Sequence, residues 1–192
     1  MNTKKFISAE QLLQDSFQLG AAILNSGFTP NFIVGVWRGG TPVGIALQEL
    51  LDYCGVTTDH IAIRTSYYTG INQTAEHVQV HGLNYIANRV TNKDRLLLVD
   101  DVFDTGASMQ QIILHLRREC GENIPEVRIA TPYFKPENNV TNLIPDYYLY
   151  ETSQWLVFPH ELKGLSKQEL LNEKPGIEAI KNLLLEHLHS AT

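Results

Sequence analysis

Short apolar runs alternate along this chain with segments whose apolar positions recur at helical spacing. Leu12, Leu13, Phe17, Ala21 and Leu24 form one such helical series behind a capping box from Ser8 to Gln11, and Gly27 ends it. Phe32 to Val36 then reads as a strand, Pro42 to Tyr53 as a helix and Ile61 to Ser66 as a second strand, before a polar stretch from Tyr67 to about Asn84. Leu96 to Val99 and Met109 to Arg118 repeat the strand and helix, and Val127 to Phe134 supplies a further strand. Uninterrupted apolar strands followed by helices predict an α/β fold with a mainly parallel sheet flanked by helices, buried on both faces.

The pattern changes at Pro145. Tyr147 to Glu151 and Trp155 to Phe158 read as short aromatic strands separated by a turn at Thr152 to Gln154, and predict a small hood formed mainly by about residues 135–165. A helical tail over 166–192 follows, with helices at Ser166 to Asn172 and Ile177 to His189 broken at Pro175 and Gly176. With 192 residues and 43% apolar content, the chain suits one domain over 1–192.

A net charge of −6 leaves no basic stripe to displace counterions, which argues against nucleic acid as a partner. Cys54 and Cys120 are far apart, with no CxxC pairing for structural zinc, and fit a reducing compartment. No signal-peptide core or membrane-length apolar run is evident, so a cytoplasmic protein without a membrane partner is expected.

Chemistry concentrates in Leu96 to Met109, LLLVDDVFDTGASM. Asp100 and Asp101 end an apolar strand, where open α/β sheets place their ligands. Adjacent carboxylates repel each other and lose hydration there, so they call for hydroxyls, a metal ion or cations as partners. Asp104, Thr105, Gly106, Ala107 and Ser108 follow with small side chains, hydroxyls and backbone N–H groups at the start of a helix, a setting suited to phosphate. A second strand-to-helix turn, Trp37-Arg38-Gly39-Gly40-Thr41-Pro42, offers a guanidinium beside two glycines and also suits an anion.

The Leu96 to Met109 segment resembles the phosphoribosyl-pyrophosphate signature of type I phosphoribosyltransferases: four apolar residues, an acidic pair, a short step ending in Asp, then Thr-Gly. The resemblance implies that Asp100 and Asp101 hold the ribose hydroxyls directly or through Mg2+, and that Asp104 to Ser108 surround the 5′-phosphate. It assigns Arg38, Gly39 and Gly40 to pyrophosphate and implies a cis Trp37-Arg38 peptide. Arg38 and Asp104 are the catalytic candidates, Asp104 as the acceptor of a proton from the base. Ala107 departs from members that carry Lys there, which leaves backbone N–H groups to bind more of the phosphate.

Two further segments resemble the hypoxanthine and xanthine-guanine branch of that family. Ser66-Tyr67 matches a pair at the root of a loop that closes over pyrophosphate, with Gly70, Asn72, Gln73 and Thr74 in the loop beyond; His77 and His81 read as solvated. Phe134-Lys135-Pro136 and Trp155-Leu156 match base-binding segments, implying that Lys135 donates to a ring carbonyl, Trp155 stacks on the ring and Leu156 contributes main-chain contacts. The expected activity is transfer of a phosphoribosyl group to a 6-oxopurine in purine salvage, by a homo-oligomer, dimer or tetramer. A phosphoribosyltransferase for another base such as a pyrimidine, or a phosphoribosyl-pyrophosphate-sensing regulator of the same fold, are the alternatives.

Overall fold

In a computed structural model, which describes residues 4–68 and 77–189, the chain divides into two compact units: Met1–Leu12 with Gln154–Thr192, and Leu13–Ser153. In chain order the elements are β1 (Lys4–Phe6), α1 (Ala9–Asn25), β2 (Phe32–Trp37), α2 (Gly40–Tyr53), β3 (Asp59–Tyr68), β4 (His77–His81), α3 (Asn84–Ala87) and β5 (Arg95–Val99). There follow β6 (Val102–Phe103), α4 (Ala107–Cys120), β7 (Glu126–Phe134), β8 (Tyr147–Glu151), β9 (Trp155–Val157), α5 (Lys167–Asn172) and α6 (Lys181–His189).

The larger unit is built on a seven-stranded sheet in the order β4-β3-β2-β5-β7-β6, with β8 also paired to β7. Its pairings are parallel except β3 with β4, as the alternating pattern predicts. Along β5 the alternate residues Leu96 and Leu98 join Val34, Val36, Ile63, Met109 and Ile112 in one core, while Leu97 and Val99 are equally buried. Burial on both faces explains why β5 shows no polar alternation.

The lane formed by β5 and β6 carries a break. β5 pairs with Glu126 to Ala130 of β7, and β6 pairs with Tyr133 and Phe134 of the same strand. Asp100 and Asp101 fill the interruption, and Pro132, which has no N–H to donate, stands on β7 between the two paired stretches. A pair of carboxylates is thereby inserted in the middle of a sheet lane instead of beyond its end.

Several expectations change. The buried face of α1 comprises Leu12, Asp15, Ser16, Leu19, Gly20 and Ile23, whereas Leu13 and Phe17 of the expected stripe are 49% and 41% exposed. Hydropathy alone rejects Asp15 as a core residue, but its carboxylate is fully buried and accepts from the hydroxyls of Tyr133 at 2.8 Å and Tyr150 at 3.1 Å. Burial, followed by hydrogen bonding to Asp15, pushes the Tyr133 hydroxyl well above its usual range, so it remains a donor. The polar stretch after Ser66 is partly strand, because β3 continues to Tyr68 and β4 returns antiparallel to it. Gly70, Asn72, Gln73 and Thr74 lie outside the described residues.

The two aromatic strands after Pro145 do not pair with each other. Tyr147 to Glu151 joins the main sheet beside Ala130 to Phe134, and Trp155 to Val157 pairs in parallel with Lys4 to Phe6, a strand that three residues of Lys-Lys-Phe could not announce. In the smaller unit, Ser166 and Glu169 form the reciprocal capping box of α5. Lys4 Nζ reaches Glu169 at 2.8 Å, and the buried Lys174 ammonium donates to the Phe158 carbonyl. The tail segment containing Lys174 therefore packs on the β9 end of its own unit. Among the described residues no helix is long and apolar enough to cross a membrane.

Candidate active site

Packing requirements at the break bring two strand-to-helix turns together. Gly39 and Gly40 open α2, and a Cβ on Gly39 would lie 2.0 Å from Asp101 Oδ2. One on Gly40 would lie 2.2 Å from the Val99 carbonyl oxygen and 2.8 Å from Asp100 Cα. The two glycines are thus required by protein against protein: the Arg38 turn is seated directly on the Asp100-Asp101 break. Arg38 is exposed, and the peptide joining it to Trp37 is cis.

Asp101 is buried and Asp100 half-buried. Burial, followed by repulsion from Asp101, pushes the Asp100 carboxyl well above its ordinary range, against the opposing pull of the Asp101 and Gly40 amides. The break therefore holds two hard oxygen donors under mutual repulsion, which a cation relieves. Among the described residues no group of three or more His, Cys, Asp or Glu could hold a metal ion. A pair of carboxylates with remaining positions filled by water and substrate oxygens is the usual setting for Mg2+, so the donor set fits that ion.

Beyond the break the chain turns over Asp104 to Gly106 into α4. Gly106 has φ +79°, and a Cβ there would meet Thr141 Oγ1 at 2.6 Å and the Phe103 ring at 2.7 Å, so both conformation and space demand glycine. No side chain caps α4 from Gly106, and the Ala107 N–H has a long contact of 3.4 Å with Thr105 Oγ1. A helix start in this condition presents N–H groups to an anion. Asp100 to Gly106, with Ser108 and Met109, line a cavity of about 180 Å³. A second cavity of about 210 Å³ beside α2 is lined by Ile33, Ile45, Ile61 and neighbours that include no carboxylate, lysine or arginine.

Asp104 is held from two sides. Lys135 Nζ donates to Oδ2 at 2.8 Å and Asn138 Nδ2 to Oδ1 at 2.6 Å. Lys135 follows β7 directly, and its backbone N–H donates to the Phe103 carbonyl at 2.9 Å, which fixes it beside the turn. The proton-acceptor candidate and the base-binding candidate are therefore an ion pair in the free protein. Asn138 and Thr141 were not legible as site residues: Pro136-Glu137-Asn138-Asn139 reads as an ordinary loop. That loop is attached to the turn a second time, by the Val140 N–H to the Thr105 carbonyl at 3.1 Å.

The remaining candidates occupy two places. Ser66 Oγ lies 3.1 Å from His81 Nε2 across the β3-β4 hairpin, and Tyr67 follows it on β3. Trp155 and Leu156 belong to the smaller unit. The Trp155 indole is 56% exposed with Lys4 Nζ 5.6 Å from its ring centre, while Leu156 is buried in register with Lys5. An exposed tryptophan departs from the usual core role of that residue.

The chain resembles known proteins over most of its length. Residues 7–164 match the model of the phosphoribosyl transferase domain. A hypoxanthine-guanine phosphoribosyltransferase of Streptococcus mutans is 28% identical over 183 residues, covering 94% of each chain. A purine phosphoribosyltransferase from Pyrococcus horikoshii superposes with a TM-score of 0.64 at 27% identity, over 85% of this chain and 98% of that one. A protein from Neisseria gonorrhoeae solved with bound ppGpp shares the fold, with a TM-score of 0.72 at 19% identity over 85% of this chain and 92% of the other.

Proposed function

Because the chain belongs to the phosphoribosyl transferase domain family, we propose that it is a purine salvage enzyme, a pentosyltransferase acting on 5-phosphoribosyl-1-pyrophosphate and a 6-oxopurine. Its products would be a nucleoside 5′-monophosphate and pyrophosphate. The observation that carries this reading is the break between β5 and β6: paired carboxylates, a helix start without a side-chain cap, and Asp104, which is bonded to Lys135, all border one cavity.

In this reading the helix start from Thr105 to Ser108 holds the 5′-phosphate through backbone N–H groups, and the absence of a lysine at Ala107 gives those groups more of the task. Asp100 and Asp101 fix the ribose hydroxyls, and their negative charge offsets the positive charge that develops on the sugar ring as its bond to pyrophosphate breaks. Mg2+, held by Asp100 and Asp101 directly or through water, would supply positive charge toward the diphosphate oxygens. Arg38 and the backbone at Gly39 and Gly40 stabilise the leaving pyrophosphate, with Ser66 and Tyr67 on the neighbouring hairpin as further contacts.

Lys135 is the donor to the 6-oxo group. Asp104 takes the proton that the base loses as its ring nitrogen bonds to the anomeric carbon and the carbon–pyrophosphate bond breaks, its electron pair leaving with pyrophosphate. In the smaller unit the exposed Trp155 indole has the form of a stacking surface, and Leu156 offers main-chain groups. The family match over residues 7–164 includes parts of both units and supports one phosphoribosyltransferase domain with its hood, the tail over 166–192 lying beyond that match. A cytoplasmic, homo-oligomeric enzyme dependent on Mg2+ is the finer expectation from the family resemblance.

The test is nucleotide formation from 5-phosphoribosyl-1-pyrophosphate and Mg2+ with hypoxanthine, guanine, xanthine, adenine or uracil, resolved by chromatography. Product from the oxopurines alone is expected. Product from uracil or adenine alone would overturn the assignment of the base as a 6-oxopurine, and tight binding of the sugar substrate without product would point to a regulator.

A further inference from the structure

Asp104 has two hydrogen-bond donors of different kinds, one charged and one neutral, on its two oxygens. Lys135 on Oδ2 is the residue that the proposed reaction needs elsewhere, at the base carbonyl. While the ammonium stays on Oδ2, it occupies the oxygen that would accept the proton. Asn138 has no such competing task. Its side-chain N–H sits 2.6 Å from Oδ1, the Asn138 backbone N–H donates to the Lys135 carbonyl at 3.1 Å, and Val140 two residues on is bonded to Thr105. A neutral donor on a short, doubly attached loop can orient a carboxylate and leave its other oxygen open.

We propose that Asn138 is a positioning residue for Asp104: it keeps Oδ1 bonded when Lys135 turns to the base carbonyl, so that Oδ2 is released already aimed at the proton it accepts. The inference rests on the phosphoribosyltransferase reading of this site. In the free protein the Lys135-Asp104 pair keeps the acceptor occupied, and arrival of a carbonyl-bearing base draws Lys135 away and frees it. A base lacking that carbonyl leaves the pair closed. The substrate feature that Lys135 recognises is thus the one that makes the proton acceptor available, and Asn138 prevents the released carboxylate from rotating out of place.

The test compares Asn138→Ala, which removes the donor, with Asn138→Asp, which keeps the shape and puts a second carboxylate against Asp104. Asn138 is exposed, so both variants are expected to fold. Single-turnover formation of nucleotide from hypoxanthine is measured with enzyme in excess, and affinity for 5-phosphoribosyl-1-pyrophosphate by calorimetry. The alanine variant should react about tenfold more slowly, the scale of one charge-assisted hydrogen bond. The aspartate variant should be slower still, and both should bind the sugar substrate as the unaltered enzyme does. Rates within twofold of the unaltered enzyme overturn the assignment. So does an affinity that falls in step with the rate, because that is the signature of a loop merely bracing the Thr105 turn. If the unaltered enzyme makes no nucleotide from any base, the phosphoribosyltransferase reading fails, and the role of Asn138 fails with it.

Discussion

Gly40→Ala and Gly44→Ala are chemically identical changes one helical turn apart on α2, yet they should act in opposite directions. A Cβ on Gly40 would stand 2.2 Å from the Val99 carbonyl oxygen, where real Cβ atoms stay beyond 3.0 Å, so β5 or the start of α2 must retreat by about 0.8 Å. Both contacting groups are backbone, and no rotamer change relieves them. An overpacking cost of about 3 kcal/mol is appropriate, at the upper end of the usual range, and the roughly 1 kcal/mol that Ala gains over Gly in a helix offsets part of it. The net loss is about 2 kcal/mol. At Gly44 the nearest atom is Gly35 Cα at 3.8 Å, an ordinary contact, so only the helical gain of up to about 1 kcal/mol remains. For a chain of this length these values correspond to a Tm lowered by roughly 4–8 °C for Gly40→Ala and raised by up to about 4 °C for Gly44→Ala. Thermal unfolding by circular dichroism reads both. Activity is the second readout, because the retreat displaces Asp100, whose Cα would lie 2.8 Å from the new carbon. A Gly40→Ala enzyme with unchanged Tm and turnover would refute the seating of the Arg38 turn on the carboxylate break.

Asp104→Asn should lower turnover by about 10²-fold or more while leaving affinity for 5-phosphoribosyl-1-pyrophosphate unchanged, as expected for loss of a proton acceptor; steady-state kinetics with unaltered kcat would remove that role. Lys135→Ala should weaken kcat/KM for 6-oxopurines by about 1–3 kcal/mol, the range for losing a buried hydrogen bond to the base, and equal use of hypoxanthine by both enzymes would release Lys135 from the base site. Glu169 is held down at about 2 by its hydrogen bond to Lys4, then by the Ser166 contacts. With the folded value below the ordinary 4.5, its contribution to stability is complete above that pH and is lost as pH falls toward 2. Denaturation midpoints of Glu169→Gln and the unaltered protein should therefore differ near neutrality and converge in acid; curves that stay parallel throughout would rule out the Lys4-Glu169 link.

What was legible in the sequence and what was not divide along a physical line. Leu96 to Val99 could be read as a doubly buried strand because burial on both faces leaves no polar position, and Gly106 could be read as a turn because few other residues adopt its backbone. Gly39 and Gly40 were also visible, but as room for a ligand; their demand comes from Val99 and Asp101, distant in sequence, and appears only when β2 and β5 pair. Asp15 shows the same limitation. A carboxylate in a helical pattern counts as a polar face until the two tyrosines that satisfy it, 118 and 135 positions away, are placed against it. Lys135 and Asp104 were each recognisable, since each matches a family position, yet their pairing was hidden because it depends on β6 and β7 ending side by side. That pairing changes the chemistry most. Two residues assigned separately to base recognition and proton transfer are bound to one another before substrate arrives, so neither role can be exercised without disturbing the other. On the proposed assignments, a base that draws off the lysine would also uncover the carboxylate, and recognition of the oxopurine would be coupled to the step that activates it.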